Sequence, residues 1–262
     1  MRTRLDAELV RRGLARSREH AVNLIESRSV LVRGIPASKP ASQVDAETSI
    51  TLAGARNDYV SRGGHKLAGA LDAFSGISID NKVALDAGAS TGGFTDVLLK
   101  RGARKVIAVD VGYGQLAWEL RQDPRVEIHD RTNVRTLTSE ILSEAPEIVV
   151  ADLSFISLTL VIPALIAVTK PDADFVIMVK PQFEVGREKL GAGGVVRDPH
   201  LRRSAVHDVA ASAFELGLGT VGVVASSLPG PSGNVEYFLW LKAGASQISE
   251  VALDEAIAKG PQ

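Results

Sequence analysis

The chain contains no cysteine. That excludes a disulfide framework and any thiolate metal site. It also excludes mechanisms that need a thiolate nucleophile, such as attack on a pyrimidine base before C5-methylation. Net charge is nearly absent as well: the formal value is −1 over 262 residues, so nothing marks the whole chain as a polyanion binder. Long apolar runs are missing too. The longest apolar-rich stretch, Leu158 to Thr169, falls short of the roughly 20 residues that cross a bilayer. The opening residues, Met1 to Asp6, lack the apolar centre of a signal peptide. A cytoplasmic protein with no membrane segment is the expectation. His65, His129, His200 and His207 show no metal-ligand spacing, so no metal is implied.

What is present begins with an asymmetry of charge. Residues 1–40 carry nine Lys and Arg against four acids, which leaves the remainder net acidic. A basic segment joined to a mildly acidic body predicts a division of labour, with the first part holding a polyanion. Asp6 is placed to cap a helix that buries Leu9 and Val10 and ends near Gly13. Ser17 is placed to cap a second helix that turns Ala21, Leu24 and Ile25 inward. "SVLVRGIPASKP" then reads as strand, turn at Gly34, and strand. Arg11, Arg12, Arg16 and Arg18 fall near the turn between the helices, where they are expected to form either one anion-binding patch or a solvated face. The stretch "RLDAELVRRGLARSREHAVNLIESRSVLVRGIPASKP" resembles an S4 RNA-binding domain, a small α+β fold. The resemblance implies contact with structured RNA through Arg4, Arg11, Arg12, Arg16, Arg18 and Arg28. Residues 1–57 are expected to form this domain and a short linker, and 58–262 a second domain.

From about residue 60 onward the pattern is α/β. Apolar strand-like runs recur at Val83 to Ala87, Lys105 to Asp110, Val126 to His129, Glu147 to Ala151, Asp174 to Lys180, Thr220 to Ala225 and Val235 to Leu241. Helical stretches such as Gly92 to Arg101 and Gln115 to Arg121 separate most of them. Such alternation predicts a doubly wound, mostly parallel sheet of seven strands.

Sheets of this kind bind ligands at the C-terminal ends of their strands. "LDAGASTGGFT" lies where the first strand meets the first helix. Gly88 permits the turn, while Gly92 and Gly93 open the helix to close backbone approach, with Ser90, Thr91 and Phe94 beside them. The spacing is neither G-x-G-x-x-G nor a P-loop. Asp86 before the turn suits a cationic cofactor better than a pyrophosphate, and S-adenosylmethionine carries an ammonium and a sulfonium. Asp110 after the second strand is placed for ribose hydroxyls, and Asp130 after the third for the adenine amino group. With these acids in order, residues 58–262 resemble a class I S-adenosylmethionine-dependent methyltransferase with a Rossmann-like sheet.

The acceptor is read elsewhere. No Pro-Pro follows the fourth strand in "ADLSF", which disfavours amino targets, and absent cysteine disfavours pyrimidine C5. A hydroxyl remains, and it needs a base; a lysine can serve once its pKa falls. Lys66, Asp152, Lys180 and Glu236 are charged residues at strand ends or a helix start, placed to converge on one edge of the sheet. Any one of them alone would more often be a surface ion pair. Asp152 also stands within the cofactor region. The four resemble the Lys–Asp–Lys–Glu tetrad of FtsJ/RrmJ-type ribose 2′-O-methyltransferases. The chain is similar throughout to the TlyA family, through "YVSRGGHKL", "DAGASTGGFTDVLL", "VDVGYGQL", "DLSFISL", "VKPQFE" and "PSGNVEYF". The resemblance implies methyl transfer to cytidine 2′-oxygen in rRNA of the small ribosomal subunit, the large one, or both, by a monomer. Lys180 would be the base, held by Asp152 and Glu236, with Lys66 placing the ribose and Arg62 contacting RNA. Two alternatives stand beside it: a non-catalytic ribosome assembly factor, and, because relatives carry the label hemolysin, a membrane-lytic protein. "GREKLGAGGVVRDPH" reads either as a flap over the ribose or as a loop before the helix at Leu201; Ser232 and Asn234 either touch RNA or shape a turn.

Overall fold

A computed structural model describes residues 3–15, 17–33, 35–45, 48, 50–52, 59–230 and 232–260. Arg16 and Gly34 lie outside the described residues. Contacts divide the chain into two units, Met1–Asp58 and Tyr59–Gln262.

In the first unit, β1 (Thr3–Arg4) leads into α1 (Leu5–Arg11), followed by α2 (Arg18–Glu26). Short strands β2 (Val30–Val32), β3 (Ile35–Pro36), β4 (Gln43–Val44) and β5 (Ile50–Leu52) complete it. β2 lies between β3 and β5, and β1 pairs with β4. Leu5, Leu9, Ala21, Ile25, Val30, Val44 and Ile50 form its core. Ser17 caps α2 by accepting from His20 N at 3.1 Å. The cap expected of Asp6 is not formed. Arg4 occupies the N-cap position, and Asp6 lies buried inside the first turn, where arginines claim its carboxylate.

The second unit opens with α3 (Arg62–Ala73). Then come β6 (Val83–Ala87), α4 (Gly93–Lys100), β7 (Lys105–Val109), α5 (Trp118–Arg121), β8 (Val126–His129) and β9 (Ile148–Ala151). After α6 (Ile162–Val168) follow β10 (Asp174–Val179), α7 (Pro181–Glu184), α8 (Pro199–Glu215), β11 (Leu218–Ala225), β12 (Tyr237–Ala243) and α9 (Glu250–Lys259). The seven strands run β11-β12-β10-β9-β6-β7-β8. β6 through β10 are mutually parallel, and β12 alone runs against them. β6, β9 and β10 are buried along their whole length, as expected of strands covered on both faces. One core cluster joins Leu85, Ile107, Val149 and Ile177 to Leu165 of α6 and Val209 of α8. The other joins Val106, Val150 and Met178 to Leu67 of α3 and Leu98 of α4. α5 begins at Trp118 rather than at the expected Gln115, and Ala117 N donates to Thr91 O at 3.1 Å in the turn after β6. Among the described residues no helix is long and apolar enough to cross a membrane.

Candidate active site

Strand register builds the site. Ala87 pairs with Val109 and with Ala151, and Ala151 pairs with Ile177. Gly88, Asp110, Asp152 and Lys180 are therefore the residues that leave β6, β7, β9 and β10 at one edge. The antiparallel β12 adds the fourth part of the tetrad. Val179 pairs with Tyr237, so the strand that runs backwards delivers Glu236 to the edge where β10 delivers Lys180.

The turn after β6 is shaped for close approach. Gly88 has φ +88°, and a Cβ there would lie 2.6 Å from the Asp152 carbonyl oxygen. Gly92 has φ +96° at the N-cap of α4, where a Cβ would meet the side chains of Leu116 and Leu120. Both positions need the left-handed backbone that glycine alone adopts freely. Asp86 lies beneath this turn, fully buried, with Oδ2 accepting from Thr95 Oγ1 at 2.6 Å and Oδ1 unpaired. Burial pushes its carboxyl up to about 7, against the Thr95 hydrogen bond. Asp110 is fixed by backbone: Ser90 N donates to Oδ2 at 2.8 Å and Gly112 N to Oδ1 at 2.7 Å.

Two cavities meet here. One of about 470 Å³ is lined by Gly88, Ser90, Asp110, Gln115, Asn133 and Leu153 among others. A second of about 250 Å³ is lined by Arg62, Lys66, Thr91, Gly93, Phe94, Asp152, Lys180 and Glu236 among others. Gly88, Ser90, Asp152 and Ser154 line both. Asp110, with a second lone pair on each oxygen, and the glycine turn fit the ribose and amino-acid parts of S-adenosylmethionine.

Two of the expected cofactor acids sit differently. Asp86 lines neither cavity; it supports the turn from below through Thr95. Asp130 accepts from Gly114 N at 3.1 Å and from Arg121 Nη1 at 3.2 Å, so it braces the segment after β7 rather than facing either cavity. Asn133 and Gln115 stand at that end of the larger cavity instead.

The smaller cavity holds two ion pairs. Lys180 Nζ lies 2.5 Å from Asp152 Oδ1 and donates to Ser154 Oγ at 2.9 Å. Lys66 Nζ lies 2.5 Å from Glu236 Oε2. Lys66, Lys180 and Glu236 are all buried. The expectation that Asp152 and Glu236 together hold Lys180 is corrected on this point: Glu236 holds Lys66. α3 carries Lys66 on the face that also buries Leu67, Ala70 and Leu71, and so over the end of β12.

A wider groove of about 940 Å³ begins at Lys180 and Glu236 and passes Arg135, Ser154, Phe155, Phe183, Arg187 and Ser232 among others. Phe155 is 90% exposed with φ +65°, and its ring centre lies 5.0 Å from that of Phe183 with the planes tilted at 49°. Glu184 ties the two loops by accepting from Ser157 Oγ at 2.6 Å and Leu158 N at 3.0 Å. Asn234 shapes the wall rather than reaching outward: it accepts from Val196 N at 2.9 Å and donates to Gly194 O at 3.0 Å. Ser154, Phe155 and Phe183 are site residues that the sequence pattern does not single out. Their signal was adjacency, since "DLSF" and "KPQF" each set an aromatic three residues after a tetrad residue.

Arg11, Arg12 and Arg18 stand at the helix ends that border the interhelical turn, and two acids hold them together with Arg4. Arg4 and Arg18 pair with Asp6, and Arg11 and Arg12 with Glu8. Arg28 is exposed with φ +58°.

Comparison with known proteins agrees with this geometry. Residues 59–243 match the FtsJ-like methyltransferase family, and residues 3–50 match the S4 domain. The chain is 56% identical over 266 residues to the 16S/23S rRNA (cytidine-2′-O)-methyltransferase TlyA of Mycobacterium tuberculosis, covering 99% of each. It is 34% identical to the 23S rRNA (cytidine-2′-O)-methyltransferase TlyA of Campylobacter jejuni, covering 86% of this chain and 93% of that one. A solved structure described as a hemolysin from Streptococcus thermophilus superposes with a TM-score of 0.82 at 37% identity, covering 98% of this chain and 95% of that one. The chain belongs to the FtsJ-like methyltransferase family, as a TlyA-type member that carries an S4 domain and uses S-adenosylmethionine.

Proposed function

We propose that this protein methylates the 2′-oxygen of cytidine in ribosomal RNA. The observation that carries the reading is the pair of lysine–carboxylate contacts at one edge of the sheet, beside the glycine turn. Relatives named for cytidine 2′-O-methylation of 16S and 23S rRNA support the acceptor, and the S4 unit supports an RNA partner.

Bound S-adenosylmethionine supplies an electrophilic methyl carbon. Asp110 and the turn at Gly88 would hold its ribose and amino-acid ends. Lys180, as the free amine, takes the proton from the 2′-hydroxyl as the oxygen attacks; Asp152 orients the amine and stabilises the ammonium that forms. When bound, S-adenosylmethionine would give the methyl carbon to that oxygen and keep the electron pair of the C–S bond on its sulfur. Lys66, held by Glu236, presents its remaining N–H groups to the ribose. Phe155 and Phe183 offer an aromatic face for a base drawn out of its stack.

The test is transfer of labelled methyl from S-adenosylmethionine to isolated small subunits, large subunits and stripped rRNA. Label in the RNA of either subunit is expected. Label confined to ribosomal protein, or no transfer to any of the three, would overturn the reading.

A further inference from the structure

The small unit carries two carboxylates where a phosphate-binding surface would be expected to avoid them. Asp6 is 3% exposed and Glu8 2% exposed. Arg4 holds Asp6 through two bonds, Nε to Oδ1 at 3.1 Å and Nη2 to Oδ2 at 2.9 Å, and Arg18 Nη2 donates to Oδ2 at 3.2 Å. Residues two apart on a helix face different sides. Accordingly Glu8 holds a separate set: Arg11 Nε at 2.7 Å and Nη2 at 2.5 Å, and Arg12 Nε at 2.7 Å. Burial alone would raise both carboxyls, but the arginines hold each at about 2, so both stay ionised at neutral pH.

The arginines divide into two kinds. Arg12 is committed inside the unit: Nη1 donates to Thr48 O at 2.7 Å and Nη2 to Asp45 O at 3.0 Å. Arg4, Arg11 and Arg18 instead have side chains 46%, 61% and 63% exposed. Each guanidinium carries N–H groups beyond those its carboxylate takes. An acid that grips one edge of a guanidinium fixes the direction of the other edge. A free surface arginine would have to be ordered when an anion binds.

We propose that Asp6 and Glu8 are positioning residues for RNA binding, Asp6 aiming Arg4 and Arg18 at backbone phosphates and Glu8 aiming Arg11. This rests on the rRNA substrate proposed above. Two physical effects oppose each other in sign. Removing a carboxylate makes the surface more positive, which by long-range electrostatics strengthens RNA binding. It also frees the arginines it had ordered, which weakens binding. The arginines are in contact with their acids and their heads are screened by solvent, so the loss of order outweighs the gained charge.

The experiment measures rRNA affinity for the full chain and for Asp6→Asn, with Arg4→Ala/Arg18→Ala and the triple variant closing a double-mutant cycle. Asp6→Asn is expected to weaken RNA binding about tenfold, to raise KM for RNA rather than lower kcat, and to leave S-adenosylmethionine affinity unchanged. In the protein lacking both arginines it is expected to have no further effect. Tighter or unchanged binding would overturn the proposal in favour of simple charge. A loss of equal size in the arginine-less background would overturn it in favour of a purely structural role. Should Asp6→Asn unfold the small unit, Glu8→Gln against Arg11→Ala decides in the same way. If both unfold it, the carboxylates are structural and the proposal falls. Failure of the parent chain to bind rRNA would instead count against the proposed substrate.

Discussion

Replacing Lys180 with Arg separates a proton acceptor from a fixed positive charge. The guanidinium keeps a cation beside Asp152, whose Oδ1 lies 2.5 Å from the lysine nitrogen, and can still donate to Ser154. It cannot give up its proton at any pH a protein survives. A positioned general base contributes about 10²–10⁴ in rate, or roughly 3–5 kcal/mol of barrier. Lys180→Arg is therefore expected to lose as much activity as Lys180→Ala, close to that range. The assay is single-turnover methyl transfer to rRNA at saturating S-adenosylmethionine, so that binding is separated from chemistry. Cofactor affinity, measured by calorimetry, should move little in either variant. An arginine variant within about tenfold of the parent rate would refute the role, because a fixed charge would then suffice.

Three further outcomes follow from the same geometry. Glu236→Gln leaves the Lys66 ammonium buried without its counter-charge, which should cost about 3–5 kcal/mol; an unchanged melting temperature for the larger unit would contradict the pairing. Gly88→Ala forces a Cβ to within 2.6 Å of the Asp152 carbonyl oxygen at φ +88°; cofactor affinity should fall by at least about tenfold, given about 1–2 kcal/mol for the left-handed backbone alone. Asp86 has a folded pKa of about 7 against 3.8 unfolded, so its contribution to stability is full at low pH and is lost as pH rises through about 7. Asp86→Asn should therefore gain stability over the parent progressively between about pH 4 and 7, read by urea unfolding; a difference independent of pH would contradict the burial argument.

Much of the larger unit is legible in the sequence. β6 and β8 match their expected runs end for end, because each is bounded on both sides by a charged residue or glycine: Lys82 and Gly88, Arg125 and Asp130. That parallel strands deliver Gly88, Asp110 and Asp152 to one edge follows from the alternation of strand and helix. Which lysine meets which carboxylate did not follow. It depends on β12 running antiparallel beside β10 and on α3 lying over its end, and both are long-range facts. Asp86 lies deeper than its spacing conveys, because spacing places a residue on a strand but does not set the depth of its side chain. Asp6 was misjudged as a cap for a similar reason: one of its partners, Arg18, comes from a different helix. The exposed ring of Phe155 rests on a left-handed backbone that no pattern of residue types announces.

The central claim is that the tetrad directs methyl to a ribose oxygen. The most direct measurement is nucleoside analysis of rRNA after reaction with labelled S-adenosylmethionine, read by mass spectrometry and by resistance of the adjoining bond to alkali. The label is expected to appear as 2′-O-methylcytidine, with the bond 3′ to it resistant to alkali, and Lys180→Arg is expected to abolish both. Label on a base, with the adjoining bond still cleaved by alkali, would contradict it.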